Sequence, residues 1–251
     1  MKRVKRRIFA GVVCEQEVYT VADRVRDPAT AAPRLRFKTP EEREQHRLGI
    51  SRRKFARLIN ENFGTSSIYS TLTFDDEHEV HTFDDAKRLR NNYIRRLQYA
   101  YPDARIVIVM GRGKSTQRIH MHMISDGVPE QAIDDKWQYG RIVSKAHLRA
   151  HVFYNGIDNG ADYTGLANYL FEHWTPEQGG HRWKQTRNLR QPQKEAPKEA
   201  KRTYTAEHPP TPPKGYVLVD CKCTSYGYQW FKYIRQPEHG ERHRRRSNQG
   251  L

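Results

Sequence analysis

Arg105–Met110 reads RIVIVM and Arg118–Ile124 reads RIHMHMI, with a basic, glycine-containing loop, Gly111–Gln117, between them. Two β-forming runs joined by a short glycine-bearing loop make a hairpin, so this stretch commits the chain to an antiparallel strand pair. The first run is apolar on both faces from Ile106 onward, as in a central strand covered on both sides. The second run alternates. Side chains two apart share one face of a strand, so His120 and His122 project together. Ile119, Met121 and Met123 point the other way, into a core.

The remaining elements follow from the same rules. Residues 40–62 predict a helix: Pro40 opens it, Glu41 and Glu42 fill its first turn, and Gly64 lies just past its end. Phe55, Leu58, Ile59 and Asn62 mark one face. Ile68–Phe74, IYSTLTF, alternates and is rich in β-formers. Asp84–Ala100 predicts a helix with an apolar face of Ala86, Leu89, Tyr93, Leu97 and Ala100, opposite Lys87, Arg88, Arg95 and Arg96. A short helix is expected over Pro129–Lys136, a strand over Leu148–Tyr154, and a helix over Asp162–Trp174, with Asp162 as N-cap and Gly179-Gly180 beyond its end. The fold class is therefore α+β, with helices packed on a central antiparallel sheet and basic N- and C-terminal extensions. The expected organisation is a basic N-terminal arm (1–39) with one hairpin at Ile8–Val21, a main domain (40–190), a Lys/Glu/Pro linker (191–213), a C-terminal β hairpin (214–236) turning at Ser225-Tyr226-Gly227, and a basic tail (237–251).

Charge narrows the partner. The chain has 251 residues, with 45 Lys plus Arg against 29 Asp plus Glu, a net of +16. Such a surface attracts polyanions, of which nucleic acid is the commonest. Aromatic residues lie among the basic ones (Arg182-Trp183-Lys184, Tyr226, Tyr228, Trp230, Tyr233), and aromatic faces stack on bases while Lys and Arg track phosphates. No run of ~18 apolar residues suits a membrane span, and the basic stretches lack the apolar face that membrane-surface binding needs. The start MKRVKRRIFAGVVC imitates an export signal, but its apolar run, Ile8–Val13, is short and acidic residues follow. The sequence has only 3 Cys, which points to a reducing, cytoplasmic setting. Cys221 and Cys223, with His239 and His243, have the wrong spacing for a zinc site.

A second chemical motif is Tyr163-Thr164-Gly165-Leu166-Ala167-Asn168-Tyr169-Leu170-Phe171-Glu172-His173. Residues three and four apart are neighbours on a helix, so Tyr169 shares a face with Glu172 and His173. A phenol beside a carboxylate and an imidazole, with two strand imidazoles elsewhere, suggests a nucleophile next to a metal. Tyr163, six residues earlier in the sequence, is the rival nucleophile and lies on another side of the helix.

The strand Ser70-Thr71-Leu72-Thr73-Phe74, the His120-Met121-His122 pair and the Tyr169 helix resemble, in order and spacing, the motifs of HUH endonucleases, above all the rolling-circle replication initiators of plasmids and phages. Arg182-Trp183-Lys184-Gln185-Thr186-Arg187-Asn188-Leu189 is similar to a basic segment that follows the tyrosine helix there. The resemblance spans residues 40–190. It implies an approximately five-stranded antiparallel sheet of RRM-like topology, a divalent ion (magnesium or manganese) on His120 and His122, and attack by Tyr169 on single-stranded or hairpin origin DNA. The products would be a 5′-phosphotyrosine link and a free 3′-OH that primes replication. Unwinding and synthesis would fall to a host helicase and polymerase.

Two departures from the family pattern bear on the metal. Met110-Gly111-Arg112 offers no carboxylate where initiators place a third ligand, and Glu172 stands where a Lys is common. The tyrosine helix is therefore expected to complete the ligand set, through His173 or, as alternative, Glu172, with Asp75 and Asp76 in reserve. Single-tyrosine transposases draw a ligand from that helix in a similar way. The expected DNA contacts are Arg112, Lys114, Arg118, Arg182, Trp183, Lys184 and Arg187. Gly111–Thr116 resembles a phosphate-binding loop but lacks its first glycine and leads into a strand, so a hairpin loop touching DNA is preferred to nucleotide hydrolysis. Other readings are a single-tyrosine transposase or relaxase of the same fold, and a non-catalytic RRM-like nucleic-acid binder.

Overall fold

The computed structural model describes residues 2–21, 39–154, 156–178, 180–224 and 227–236. In chain order its elements are β1 (Lys2–Ala10), β2 (Val13–Val21), α1 (Pro40–Asn62), β3 (Ile68–Thr73), α2 (Phe83–Ala100), β4 (Arg105–Arg112), β5 (Ile119–Asp126), α3 (Glu130–Lys136) and β6 (Ile142–His147). There follow β7 (Phe153–Tyr154), β8 (Ile157–Asp158), α4 (Thr164–Glu172), β9 (Lys184–Gln185), β10 (Gln193–Lys194), β11 (Lys198–Glu199), β12 (Tyr216–Cys223) and β13 (Gln229–Arg235). The chain is α+β, and it divides into two compact units: residues 1–50, 151–162 and 192–251 form one, and residues 51–150 and 163–191 the other. Among the described residues no helix is long and apolar enough to cross a membrane.

The second unit holds the five-stranded sheet, in the order β6-β3-β5-β4-β9 and antiparallel throughout. β3–α2–β4 brackets β5, and β5–α3–β6 brackets β3. These are two split βαβ units, the RRM-like and ferredoxin-like arrangement. One sheet face is the core. Leu72, Ile106, Ile108, Met121 and Met123 from the strands pack in one cluster with Ala86, Tyr93 and Leu97 of α2 and Ile133 of α3. Each buried Leu, Ile or Met side chain of this cluster contributes about 1.5–3 kcal/mol by leaving water. The Tyr93 hydroxyl, buried with them, donates to the Ile133 carbonyl at 2.9 Å, so its polar atom is not stranded. α2 starts where Thr82 accepts from the backbone N–H of Asp85 (3.1 Å), and Asp84 and Asp85 fill its first turn, as the helix dipole favours.

β5 behaves as its alternation requires. Met121 and Met123 lie in the core, and His120 and His122 belong to the opposite face. In register, His120 stands across from Gly111 on β4 and Thr73 on β3, and His122 across from Val109 and Thr71.

The first unit has its own antiparallel sheet, β10-β1-β2-β13-β12, with β11 also on β1. Cys14, Val18, Phe231 and Tyr233 form its buried cluster. Two expectations change here. Residues 2–21 are not an irregular arm with a hairpin from Ile8; the hairpin runs from Lys2 to Val21 and pairs with β13. Residues 191–213 are not a free linker. Lys194 and Lys198 pair with Ile8 and Lys5, and the Pro210 and Thr211 carbonyls accept from Tyr233 and Arg7. β1 is an edge strand whose outer backbone groups need partners, and this strap supplies them. The C-terminal hairpin forms as β12 and β13, while Ser225, Tyr226 and the basic tail 237–251 lie outside the described residues.

A third change concerns the strand expected over Leu148–Tyr154. The sheet instead takes Ile142–His147 as β6, and only Phe153–Tyr154 of the expected run is strand. β6 lies at the sheet edge and is mostly exposed, so its sequence lacks the alternation that marks a half-buried strand.

Candidate metal centre

α4 brings its C-terminal end to the histidine face of β5. Ligating atoms of His120, His122 and His173 all lie within 4.8 Å of one another, and no other such group of His, Cys, Asp or Glu occurs among the described residues. The Nε2 atoms of His120 and His122 are 3.1 Å apart. Two nitrogens each about 2.0–2.1 Å from one ion lie roughly 3 Å apart when they subtend a near-right angle, so the pair fits one ion. The His122 and His173 rings are 4.3 Å apart between centroids, and those of His120 and His173 are 5.7 Å apart.

The outer ring nitrogens are occupied, which turns the inner ones toward the common point. Nδ1 of His173 lies 2.9 Å from the Tyr169 carbonyl and can only donate to it. Nδ1 of His122 lies 2.6 Å from the Tyr69 hydroxyl and 3.2 Å from Thr71 Oγ1. Thr71 donates to Tyr69 (3.2 Å) and accepts from Ser144 (2.9 Å). The His120 ring hydrogen-bonds the Arg118 backbone. Burial, with repulsion from His173 and His120 added, pushes the His122 imidazole down to about 3, and burial lowers that of His120 as well. Both rings are therefore neutral at physiological pH, the form that binds metal.

Residues not expected to serve the site complete the setting. Gly111 faces the cluster, and a Cβ there would lie 3.0 Å from His173 Cδ2 and 3.2 Å from His120 Nε2. Buried Gln178 donates to the Met110 carbonyl (2.9 Å) and to the His173 carbonyl (3.2 Å), tying the end of α4 to β4. The start of α4 is tied by Asn60, which accepts from the Tyr163 N–H (2.7 Å) and donates to Thr164 (3.1 Å). The sequence signal for Tyr69 was its strand period: it pairs across from Ile124 and shares a face with Thr71.

The two tyrosines differ sharply. Tyr169 is 50% exposed, and its ring lies 4.5 Å from that of His173 and 5.7 Å from that of His122. Tyr163 is 3% exposed, precedes α4 as its N-cap residue, and donates its hydroxyl to the Arg149 carbonyl at 3.0 Å. Burial holds its phenol above the usual range. The rival nucleophile is thus a buried anchor. The expected N-cap, Asp162, instead pairs with Lys232 at 2.5 Å within the first unit.

The alternative ligands point elsewhere. Glu172 pairs with Arg52 at 3.3 Å. Asp75 holds His78 (2.9 Å), and Asp76 holds Arg118 (3.0 Å). Of the expected DNA contacts, Lys114, Arg118, Lys184 and Arg187 are exposed. Arg118 also donates to the Phe74 carbonyl (3.1 Å), and Arg112 donates to the Gln117 carbonyl (2.8 Å) and stands 3.6 Å from Glu177. Arg182 stacks 3.7 Å above the Trp174 ring. Trp183 is a packing residue: its ring lies 4.6 Å from that of Phe55, and its N–H is satisfied by Gln185 (2.8 Å). Gly113 and Arg118 close the loop by a backbone hydrogen bond of 2.9 Å, and a strand follows, so the loop opens no helix of the phosphate-binding kind.

Compared with family models, with curated proteins and with solved structures, the chain finds no match.

Proposed function

We propose that the chain is a metal-assisted tyrosine nuclease of the HUH type, which nicks and rejoins single-stranded origin DNA to start rolling-circle replication. One observation carries this reading: an exposed phenol, Tyr169, stands against two of three converging imidazoles. The net charge of +16 supports a polyanionic substrate.

A divalent ion on His120, His122 and His173 would polarise the scissile phosphate and neutralise the charge that develops on it. The chain's own groups do the rest. Tyr169 Oη gives up its proton to water and attacks phosphorus. A new P–O bond joins the 5′ end to the tyrosine, the P–O3′ bond breaks, and the 3′ oxygen takes up a proton. Attack by a 3′-OH on the phosphotyrosine reverses these changes and rejoins the strand. Gln178 and the Tyr169 carbonyl hold His173 in place while this happens.

The test is to incubate the protein with manganese and a single-stranded or hairpin DNA and to look for a covalent adduct on a denaturing gel. Tyr169→Phe abolishes the adduct on this reading, and EDTA prevents it. An adduct that persists in Tyr169→Phe, or none with any DNA, overturns it. A second reading is favoured by one feature: the third imidazole comes from the tyrosine helix itself, as in single-tyrosine transposases. Cleavage of transposon-end hairpins in preference to origin hairpins would select that reading.

A further inference from the structure

The first unit contains a polar cavity of about 380 Å³ between β1, β2 and the strap of residues 199–211. Its lining includes Lys5, Arg7, Lys201 and Arg202. The one carboxylate among the described residues of that lining, Glu199, is engaged by Lys2 at 3.3 Å. Lys5 donates to the Tyr204 hydroxyl (3.2 Å). Arg7 donates to the Gln16 side-chain oxygen (3.0 Å) and to the Thr211 carbonyl (2.9 Å). These acceptors are neutral, so they orient the cations without cancelling their charge.

Gln16 supplies the independent observation. It is 1% exposed and lines the cavity. Arg7 occupies its oxygen, which fixes the amide orientation, and its Nε2 has no hydrogen-bond partner. A buried amide donor without a protein acceptor, in a lining that also carries four cations, suits an anionic acceptor. Tetrahedral phosphate oxygens accept from guanidinium, ammonium and amide groups together.

A second cavity of about 150 Å³ shares Lys5, Arg7 and Gln16 and adds Arg6, Lys198 and Glu195. Together the two linings carry Lys5, Arg6, Arg7, Lys198, Lys201 and Arg202 against Glu195 and Glu199, more positive charge than one phosphate group neutralises, which favours a polymer over a free ion. We propose that the two cavities together bind consecutive phosphate groups of a nucleic-acid strand. No residue of the histidine cluster takes part, so the site stands or falls independently of the nuclease reading.

The experiment uses the full chain carrying Tyr169→Phe, in EDTA, so that neither nucleophile nor metal contributes. Binding of a labelled single-stranded oligonucleotide is followed by fluorescence anisotropy over a series of salt concentrations. Lys201→Gln with Arg202→Gln, both at exposed positions, is expected to weaken binding about tenfold and to lower the slope of log K against log salt by about 1.4, at ~0.7 for each phosphate no longer neutralised. Gln16→Glu, which keeps the side chain's size and the acceptor for Arg7, is expected to weaken binding by like-charge repulsion while melting at the parent's temperature. Affinity and slope equal to the parent's in both variants overturn the proposal. Inorganic phosphate titrated alone by calorimetry separates the two sources of the anion. Heat that disappears in the variants, with oligonucleotide affinity unchanged, means a free-anion site and overturns the strand assignment.

Discussion

The hydroxyl of Tyr69 lies 2.6 Å from Nδ1 of His122, with the two rings stacked at 15° and 5.8 Å between centroids. Burial keeps that phenol protonated, and Tyr169 is a further hydrogen-bonding neighbour. Tyr69 therefore sets the ring orientation of the most buried imidazole and reaches the proposed nucleophile. Removing a partner of this kind weakens metal binding by about 10- to 100-fold. Tyr69→Phe is expected to do so with little change in melting temperature, as measured by manganese titration calorimetry. Equal affinity in parent and variant would show that packing alone holds the ring.

Gly111 gives the imidazoles their room. A methyl group there meets His173 and His120 at 3.0–3.2 Å, below ordinary contact. Gly111→Ala should push the end of α4 away from β4, costing about 1–3 kcal/mol in urea unfolding and more than tenfold in manganese affinity. An alanine variant with the parent's affinity would mean that α4 yields without cost.

Tyr163→Phe separates anchoring from chemistry. It removes the bond to the Arg149 carbonyl and leaves a buried acceptor short of one partner, at about 1–3 kcal/mol. Adduct formation with DNA should be retained in this variant below its melting temperature. Loss of the adduct in the folded variant would make Tyr163 a nucleophile after all.

Asp126 carries an acid-sensitive part of the stability. Burial by itself raises its carboxyl, but Arg105 at 2.5 Å and the Ser66 and Ser67 hydroxyls at 2.9 Å outweigh burial and hold it below the usual range. The folded state then binds the proton less readily than the unfolded state. The contribution is complete above the unfolded value of about 3.9 and disappears as pH falls through the lower folded value. Urea midpoints of the parent should decline from about pH 5 downward. Asp126→Asn should be weaker by about 1–3 kcal/mol at pH 7 and show a flatter acid limb. Parallel curves would assign the acid sensitivity elsewhere.

The sequence was most legible where local rules act alone. Pro40 and Gly64 bracket α1, which runs Pro40–Asn62, and the β4–β5 hairpin follows from its glycine-bearing loop. It was least legible where a partner lies far along the chain. The 191–213 strap has the composition of a linker, and only its pairing with β1 and its hydrogen bond from Tyr233 of β13, both distant in sequence, make it structure. β6 is an edge strand with little to bury, so no pattern announced it. Trp183 read as a stacking group because its neighbours are basic, whereas Phe55, in α1, decides that it packs.

Strand and helix periods by themselves put His120 beside His122 and Tyr169 beside His173, because those neighbours are set by backbone geometry within one element. Which tyrosine is open to solvent, which residue of the helix joins the strand imidazoles, and that Tyr69 backs His122 depend on where α4 comes to rest against β4 and β5. That placement is made by Asn60, Gln178 and the absence of a side chain at Gly111, contacts between elements that no local period encodes.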